Sequence, residues 1–313
     1  MENKILGFHH ITAIASEAQR NYKFYTHILG QRLVKKTVNF DDPGTYHFYY
    51  GDKLGTPGTI LTFFPWEGAR QGHTGSGMAT EIAYNVPGGS FEFWTERFRR
   101  FNIKNEAAAE RFDEQVLPFE DPDGLKLLLV VPKSEDKRQP WETAEVKSNV
   151  ATRGFHSVTL TLRNISATSR VLTDILGYEF VAQEKNRHRF VNPSVTHANI
   201  VDLVEETYKA PGLNSAGTTH HIAFRVKNEN DLMEMREKVL SRGHSITNKI
   251  DRNYFFSLYF REPGGVLFEI ASDNPGFAID EDVNELGTHL KLPAQYEDSR
   301  KEIEGVLPVL SAE

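Results

Sequence analysis

Three residues of the sequence have the side-chain chemistry of a metal-binding site and stand in matching local contexts. His10 ends the histidine pair of F-H-H-I-T-A, His221 ends the pair of T-H-H-I-A-F, and Glu269 ends the stretch P-G-G-V-L-F-E. Two imidazoles and one carboxylate are the ligand set of a non-haem Fe(II) centre, which keeps coordination positions open. We therefore predict that these three residues hold one metal ion, provided that their strands share a cavity.

The elements that must position these residues recur four times along the chain. Each of four segments begins with a strand, continues with a helix, and ends with strands of which the last follows a Pro/Gly turn. Such repetition indicates that one structural unit is used several times. The predicted fold is α+β, with two domains that each pair two βαβββ modules as curved mixed sheets around a cleft. In the first module, Ser16 is predicted to cap the helix that Gly30 ends.

The predicted domain organisation follows the positions of these modules. Residues 1–132 are predicted as an N-terminal domain and residues 153–272 as a C-terminal domain, each with two modules. The polar segment 133–152 is predicted as a linker between them. The segment 273–313 is rich in Pro, Asp and Glu, and we predict an extended tail with one helix near Ser299–Glu304.

Aligning the first strands of the modules selects the residues that share a face. The tetrads H-I-T-A, E-I-A-Y, S-V-T-L and H-I-A-F superpose, so their first residues should be equivalent: His10, Glu81, Ser157 and His221. Adjacent residues of a strand point to opposite faces. The histidines one position earlier are therefore predicted to face away: His9, His156 and His220.

The last strands are aligned by counting six residues from the proline of the preceding turn. This count pairs Pro263 with Glu269, Pro122 with Leu128, and Pro57 with Phe63. Only the fourth module then carries a carboxylate at the inward position. The count favours one metal centre, built by the first and fourth modules.

An alternative ligand is His156, whose spacing to His221 and Glu269 would suit a site between adjacent modules. The second and third modules otherwise offer a poor metal site, made of Glu81, Ser157 and Asp202. Four further histidines are interpreted as surface or turn residues: His47, His73, His188 and His197.

The overall composition limits the class of partner. The net charge of −7 argues against nucleic acid or an anionic membrane as the main partner. The chain has no cysteine, which excludes disulfides and thiolate chemistry. No apolar stretch is typical of a signal peptide or a membrane span. We therefore expect a cytoplasmic enzyme or binding protein, and the sequence leaves its oligomeric state open, including a homo-oligomer.

Longer stretches carry a resemblance that covers nearly the whole chain. They are L-G-Q-R-L-V-K-K-T-V (29–38), Y-H-F-Y-Y-G-D-K-L-G-T-P-G-T (46–59), R-G-F-H-S (153–157), N-R-H-R-F (186–190), P-G-G-V-L-F-E (263–269) and L-P-A-Q-Y-E-D-S-R (292–300). In these stretches the chain resembles the vicinal oxygen chelate superfamily, which includes glyoxalases and extradiol dioxygenases. Within it, the chain is most similar to dioxygenases that cleave the ring of hydroquinones.

This resemblance implies a site and a reaction. The family binds Fe(II) through two histidines and a glutamate, which correspond to His10, His221 and Glu269, the residues that the register also selects. The resemblance further implies catalytic roles around the metal for five residues: His9, Thr12, His220, Arg252 and Tyr259. The expected substrates are a small aromatic compound, with hydroquinones before catechol, and O₂.

Three alternatives remain open from the sequence. Mn(II) accepts the same nitrogen and oxygen ligands as Fe(II). A glyoxalase-like isomerase or lyase would use Zn²⁺ or Ni²⁺, typically with four protein ligands and without consuming O₂. A metal-free binding or resistance protein would sequester an aromatic compound without turnover.

Overall fold

The computed structural model describes residues 3–311 and shows an α+β protein. Its strands form two sheets of eight strands each. This architecture confirms the predicted fold class of paired modules with curved mixed sheets around a cleft.

The four modules each contribute four strands. The first has β1 (Phe8–Ala15), β2 (Arg32–Asn39), β3 (Asp42–Gly51) and β4 (Ile60–Pro65). The second has β5 (Met78–Asn85), β6 (Ala109–Arg111), β7 (Glu114–Glu120) and β8 (Lys126–Val131). The third has β9 (Phe155–Leu162), β10 (Glu179–Glu184), β11 (Arg187–Val191) and β12 (Ile200–Glu205). The fourth has β13 (Thr218–Val226), β14 (Ile250–Asp251), β15 (Phe255–Arg261) and β16 (Leu267–Pro275).

Each sheet joins two modules from opposite halves of the chain. The first sheet has the order β14-β15-β16-β13-β1-β4-β3-β2, so the fourth module meets the first where β13 and β1 run antiparallel. The second sheet has the order β10-β11-β12-β9-β5-β8-β7-β6 and joins the third module to the second. Pairing the first strands in this way removes two open sheet edges. The two modules of each predicted domain thus lie in different sheets, and the boundaries at 1–132 and 153–272 stay a prediction.

The helices lie between the first and second strands of the modules. In the first and third modules, a short α-helix continues into one π-helical turn. These are α1 (Ala18–Lys23) with Phe24–Ile28, and α3 (Ser166–Arg170) with Val171–Ile175. The second and fourth modules have the regular helices α2 (Phe91–Arg100) and α4 (Glu229–Ser241).

The predicted end of the first helix at Gly30 is confirmed, whereas the predicted cap at Ser16 is wrong. Ser16 does not cap α1, because its hydroxyl donates to Asp123 and the residue before the helix is Glu17. The Ser16 side chain, which we expected to cap the helix, therefore binds the carboxylate of Asp123 instead. Gly30 does end the helical segment, with a φ of 69° that favours glycine.

The tail after β16 lies against the first module. It contains 3₁₀ helices at Phe277–Ile279 and Ala294–Ser299, followed by α5 (Arg300–Val306), which confirms the predicted helix in this region. The fully buried Lys35 of β2 pairs with Asp280 at 2.6 Å and with Glu281 of the tail. None of the helices between residues 3 and 311 is long and apolar enough to cross a membrane.

Candidate metal centre

The side chains of His10, His221 and Glu269 meet in the first sheet, where β1, β13 and β16 are consecutive strands. Nε2 of His10 lies 3.3 Å from Oε2 of Glu269, and Nε2 of His221 lies 2.9 Å from the same oxygen. The two Nε2 atoms are 3.3 Å apart. All three side chains are buried, with 5% exposure or less. The three candidate ligand atoms therefore form a nearly equilateral triangle that is shielded from solvent.

The triangle has the dimensions of three ligand atoms on one face of a divalent ion. Ligand atoms about 2.1 Å from an ion and at right angles to one another lie about 3 Å apart. Oε1 of Glu269 accepts a hydrogen bond from Ser257, whereas Oε2 has no hydrogen-bond partner among residues 3–311. A buried carboxylate oxygen without a donor is costly, and a cation would satisfy it. The donor set therefore fits a divalent ion such as Fe(II).

The doubled histidines sit at irregularities of the β1–β13 pair. Phe8 pairs with Phe224 and His10 with Ala223, so His9 is the extra residue of a bulge; the shift after Thr12 makes His220 the extra residue on β13. A bulge breaks the alternation of side-chain direction. The prediction that His9 and His220 face away from the site is therefore wrong, because each contacts the ligand beside it. Alternation within one strand could not show this, since a bulge is defined by two strands.

His9 and His220 each form a hydrogen bond with Nδ1 of the predicted ligand beside it. Nδ1 of His10 lies 2.9 Å from Nδ1 of His9, and Nδ1 of His221 lies 2.7 Å from Nδ1 of His220. Burial and the neighbouring His10 hold the pKa of His9 well below its usual range, while burial and His221 lower the pKa of His220 to about 3. Both are therefore neutral, and the bare Nδ1 of each can accept a hydrogen bond from the Nδ1–H of the adjacent predicted ligand. This contact leaves the Nε2 lone pair of each ligand facing the centre.

Glu269 is an anion despite its burial. Burial would raise the pKa of this carboxyl, but His10 and His221 beside it bring the pKa well below its usual value. One carboxylate and two neutral imidazoles leave a bound divalent ion with net positive charge, which favours an anionic oxygen ligand.

A cavity of about 260 Å³ opens over the triangle. Its wall includes six large aromatic side chains: Phe40, Tyr49, Phe64, Trp66, Phe255 and Tyr259. The guanidinium of Arg252 lies 5.5 Å from the centre of the Tyr259 ring, which is 5.7 Å from the His221 ring. Burial and Glu269 raise the pKa of Tyr259, so that its hydroxyl keeps its proton. The cavity thus combines aromatic walls and phenolic donors with the cation of Arg252, which lies 3.4 Å from the carboxylate of Asp41 at the same cavity.

The strand register changes the predicted counterpart of Glu269 in the first module. Ala223 pairs with Glu269, and Thr12, two residues after His10, pairs with Thr62. Thr62 rather than Phe63 is thus the counterpart of Glu269, because the turn of the first module is one residue shorter. Oγ1 of Thr62 lies 2.8 Å from Oγ1 of Thr12 and 2.9 Å from Nε2 of His47.

His47 lines the cavity, so its interpretation as a surface or turn residue is wrong. Its ring lies 4.1 Å from that of Tyr49 and 4.3 Å from that of Phe64, centre to centre. The spacing of His47 and Tyr49 on β3 was the available signal, since residues two apart share a face of a strand. Which face they share depends on the register with β4.

The equivalent positions of the second sheet hold ion pairs instead of a group with metal-binding spacing. Glu81 contacts Arg111 at 3.0 Å and Arg187 at 3.1 Å, and Asp202 contacts Arg189 at 2.9 Å. His156 lies in this sheet, 3.2 Å from Glu114 and 2.9 Å from the hydroxyl of Ser157. The structure therefore does not bring His156 together with His221 and Glu269. Within residues 3–311, His10, His221 and Glu269 are the group of three or more side chains with metal-binding spacing.

Comparison with known proteins places this geometry in a family. The Glyoxalase/Bleomycin resistance protein/Dioxygenase superfamily matches residues 7–129 and 154–270. The chain belongs to this superfamily. It is 45% identical to the "Putative ring-cleaving dioxygenase MhqO" of Bacillus subtilis strain 168, over 98% of both chains. It is 32% identical to the "Chlorohydroquinone/hydroquinone 1,2-dioxygenase" of Sphingobium indicum, over 97% of this chain and 96% of that protein.

A solved structure shows the same fold over the full length. The crystal structure of a "putative dioxygenase" from Bacillus subtilis strain 168 has a TM-score of 0.95 and 44% sequence identity, covering 100% of this chain and 99% of that chain. The relatives are thus named as ring-cleaving or hydroquinone dioxygenases, and their likeness extends over both sheets and the tail.

Proposed function

We propose that this protein is an Fe(II)-dependent ring-cleaving dioxygenase that inserts O₂ into a hydroquinone-type substrate, with His10, His221 and Glu269 as the iron ligands. The observation that carries the proposal is the triangle of Nε2, Nε2 and Oε2 atoms, with edges of 2.9 to 3.3 Å, beneath an aromatic cavity. Three protein ligands on one side are typical of non-haem Fe(II) oxygenases that bind substrate and oxygen at the remaining positions. The names of the relatives support the same reaction and substrate class.

The bound iron would orient the phenolic substrate and O₂ and carry charge between them. The residues of the chain supply the remaining requirements. His9 and His220 keep the ligand imidazoles in the tautomer that offers Nε2 to the metal. Arg252 brings a permanent positive charge to the cavity, where it would stabilise a phenolate. Tyr259 keeps its proton and can donate it in a hydrogen bond to an oxygen atom of the bound reactants.

The cavity supports a single substituted ring as the substrate. Its volume of about 260 Å³ lies just below the common range for small-molecule sites of about 300–1,000 Å³. Phe64 of β4 and Phe255 of β15 line the cavity and would exclude water from a bound ring. Thr12 is fully buried on the strand that carries His10, and its Oγ1 lies 2.8 Å from Oγ1 of Thr62.

Oxygen consumption tests this function directly. The protein is reconstituted anaerobically with Fe(II), or with Mn(II) in a parallel arm, and is offered methylhydroquinone, hydroquinone and catechol. We expect oxygen uptake with the hydroquinones that is lost in His10→Ala and kept in His156→Ala. No uptake with any phenol, although one metal ion is tightly bound, would refute the dioxygenase assignment and favour a glyoxalase-like reaction. Absence of bound metal would favour an aromatic-binding protein.

A further inference from the structure

Four polar side chains form one hydrogen-bonded row on the cavity side of the first module. The hydroxyl of Tyr49 lies 3.0 Å from Nδ1 of His47, and Nε2 of His47 lies 2.9 Å from Oγ1 of Thr62. Thr62 in turn lies 2.8 Å from Oγ1 of Thr12. Both ring nitrogens of His47 are thus occupied, so His47 cannot itself bind a substrate hydroxyl.

The row has one more proton than it can use internally. Two threonine hydroxyls, one tyrosine hydroxyl and one neutral imidazole carry four protons, but the row contains three contacts. Burial, followed by His10, holds the pKa of His47 well below its usual range, so the imidazole is neutral. The terminal hydroxyls belong to Tyr49 and Thr12, and neither has another hydrogen-bond partner among residues 3–311. One end of the row therefore offers a spare donor and the other a spare acceptor.

Internal symmetry relates Tyr49 to a tyrosine already placed beside the metal ligands. One line of directly paired residues crosses the fourth module: His10, Ala223, Glu269 and Tyr259. The corresponding line crosses the first module: His221, Thr12, Thr62 and Tyr49. Tyr49 thus stands to Thr62 as Tyr259 stands to Glu269. Both tyrosines line the same cavity, one from each module.

A para-diol has the matching symmetry, with one hydroxyl at each end of a flat ring. We place its first hydroxyl oxygen beside the candidate metal ligands and Tyr259, which leaves the second hydroxyl for Tyr49. Burial, and next the neighbouring Tyr259, hold the pKa of Tyr49 well above its usual range, so its hydroxyl remains a neutral donor and acceptor. A second ligand hydroxyl that donates to Tyr49 would orient all the protons of the row in one direction, and such aligned hydrogen bonds strengthen one another.

We propose that Tyr49 recognises the second hydroxyl of a para-dihydroxybenzene and that His47 positions Tyr49 for this contact. The proposal rests on the proposed function and adds to it the residue that distinguishes a hydroquinone from a monophenol. Tyr49 is then a specificity-determining residue, and His47 is a positioning residue that acts through it.

Binding without turnover tests the proposal. The Fe(II) protein is titrated calorimetrically under strictly anaerobic conditions with hydroquinone and with 4-methylphenol, in which a methyl group replaces the second hydroxyl. One well-placed hydrogen bond should favour hydroquinone about tenfold in the wild type, beyond the factor of about two that its equivalent hydroxyls give. In Tyr49→Phe the preference should fall to that factor of about two. His47→Phe, which keeps a ring between Tyr49 and Phe64, should reduce it severalfold.

A matched control is available in the neighbouring ring. Tyr254 lies 6.3 Å from Tyr49, but its hydroxyl donates to Asp280 at 2.9 Å. Tyr254→Phe should therefore keep the full preference for hydroquinone. Thr62→Val interrupts the row while keeping the hydroxyl of Tyr49 and should weaken the preference, with iron content and circular dichroism confirming the fold.

Each outcome decides the proposal. A wild type that binds both phenols equally, or a Tyr49→Phe variant that keeps the preference, would overturn the role of Tyr49 and leave the dioxygenase assignment intact. A wild type that loads iron but binds neither phenol would overturn the proposed function, and this role with it.

Discussion

Replacing Arg189 with methionine should destabilise the fold without changing iron binding. Its Nε and Nη2 donate to Asp202 at 2.9 and 3.0 Å, and its Nη1 donates to Glu114 at 2.7 Å. The three side chains are buried, so the variant leaves two carboxylates facing each other without their shared cation. Removing one partner of a buried ion pair costs about 3–5 kcal/mol.

Two remaining contacts place the expected cost at the lower end of that range. Asp202 keeps Arg187 at 3.6 Å, and Glu114 keeps His156 at 3.2 Å. We therefore expect a loss of about 3 kcal/mol in the free energy of unfolding. Methionine fills a similar volume, so the loss reports the charges rather than a cavity.

Urea unfolding of wild type and variant, each with and without Fe(II), measures this loss. The control is Arg99→Met, since Arg99 pairs with Glu96 on the exposed face of α2 and should change stability by less than about 0.5 kcal/mol. A cost below about 1 kcal/mol for Arg189→Met would refute the reasoning about the second sheet. Loss of iron binding in that variant would show that the ion pairs of the second sheet also affect the metal centre of the first sheet.

Three further changes have defined outcomes. His220→Phe removes the contact to Nδ1 of His221 and should weaken Fe(II) binding by about 10–100-fold in competition with a chelator. Burial raises the pKa of Asp121 to about 7, so the folded state binds this proton more tightly than the unfolded state and stability falls as pH rises from about 4 to 7. Asp121→Asn should therefore gain about 3 kcal/mol more over wild type at pH 8 than at pH 5 in urea unfolding, and an equal gain at both pH values would contradict this. Lys35→Met leaves Glu281 buried without its cation and should cost about 3 kcal/mol in the same assay, whereas an unchanged midpoint would show that the tail contributes little.

The sequence predicted those features that repeat within it. The doubled histidines recur in the same tetrad context, so His10 and His221 could be aligned without a structure, and the Pro/Gly turn before β16 placed Glu269. The fold class followed from the same repetition. The ligand chemistry also predicts that the first and fourth modules meet, and β1 and β13 do pair in the first sheet.

Features that depend on two strands at once were not predictable in this way. The bulges that turn His9 and His220 towards the ligands exist only in the register of β1 against β13. The shift from Phe63 to Thr62 comes from a turn that is one residue shorter, which a fixed count cannot detect. His47 is a single histidine on a strand. Its position in the cavity wall is recognised only from its hydrogen bonds to Thr62 and Tyr49 of the same sheet.

Iron content tests the central claim most directly. Wild type, His10→Ala and His156→Ala are loaded anaerobically with Fe(II), desalted and analysed for metal per chain. A single centre built by the first and fourth modules predicts about one iron per chain in the wild type and in His156→Ala, and little in His10→Ala. Iron retained by His10→Ala and lost by His156→Ala would contradict it, because the metal would then lie outside the triangle of His10, His221 and Glu269.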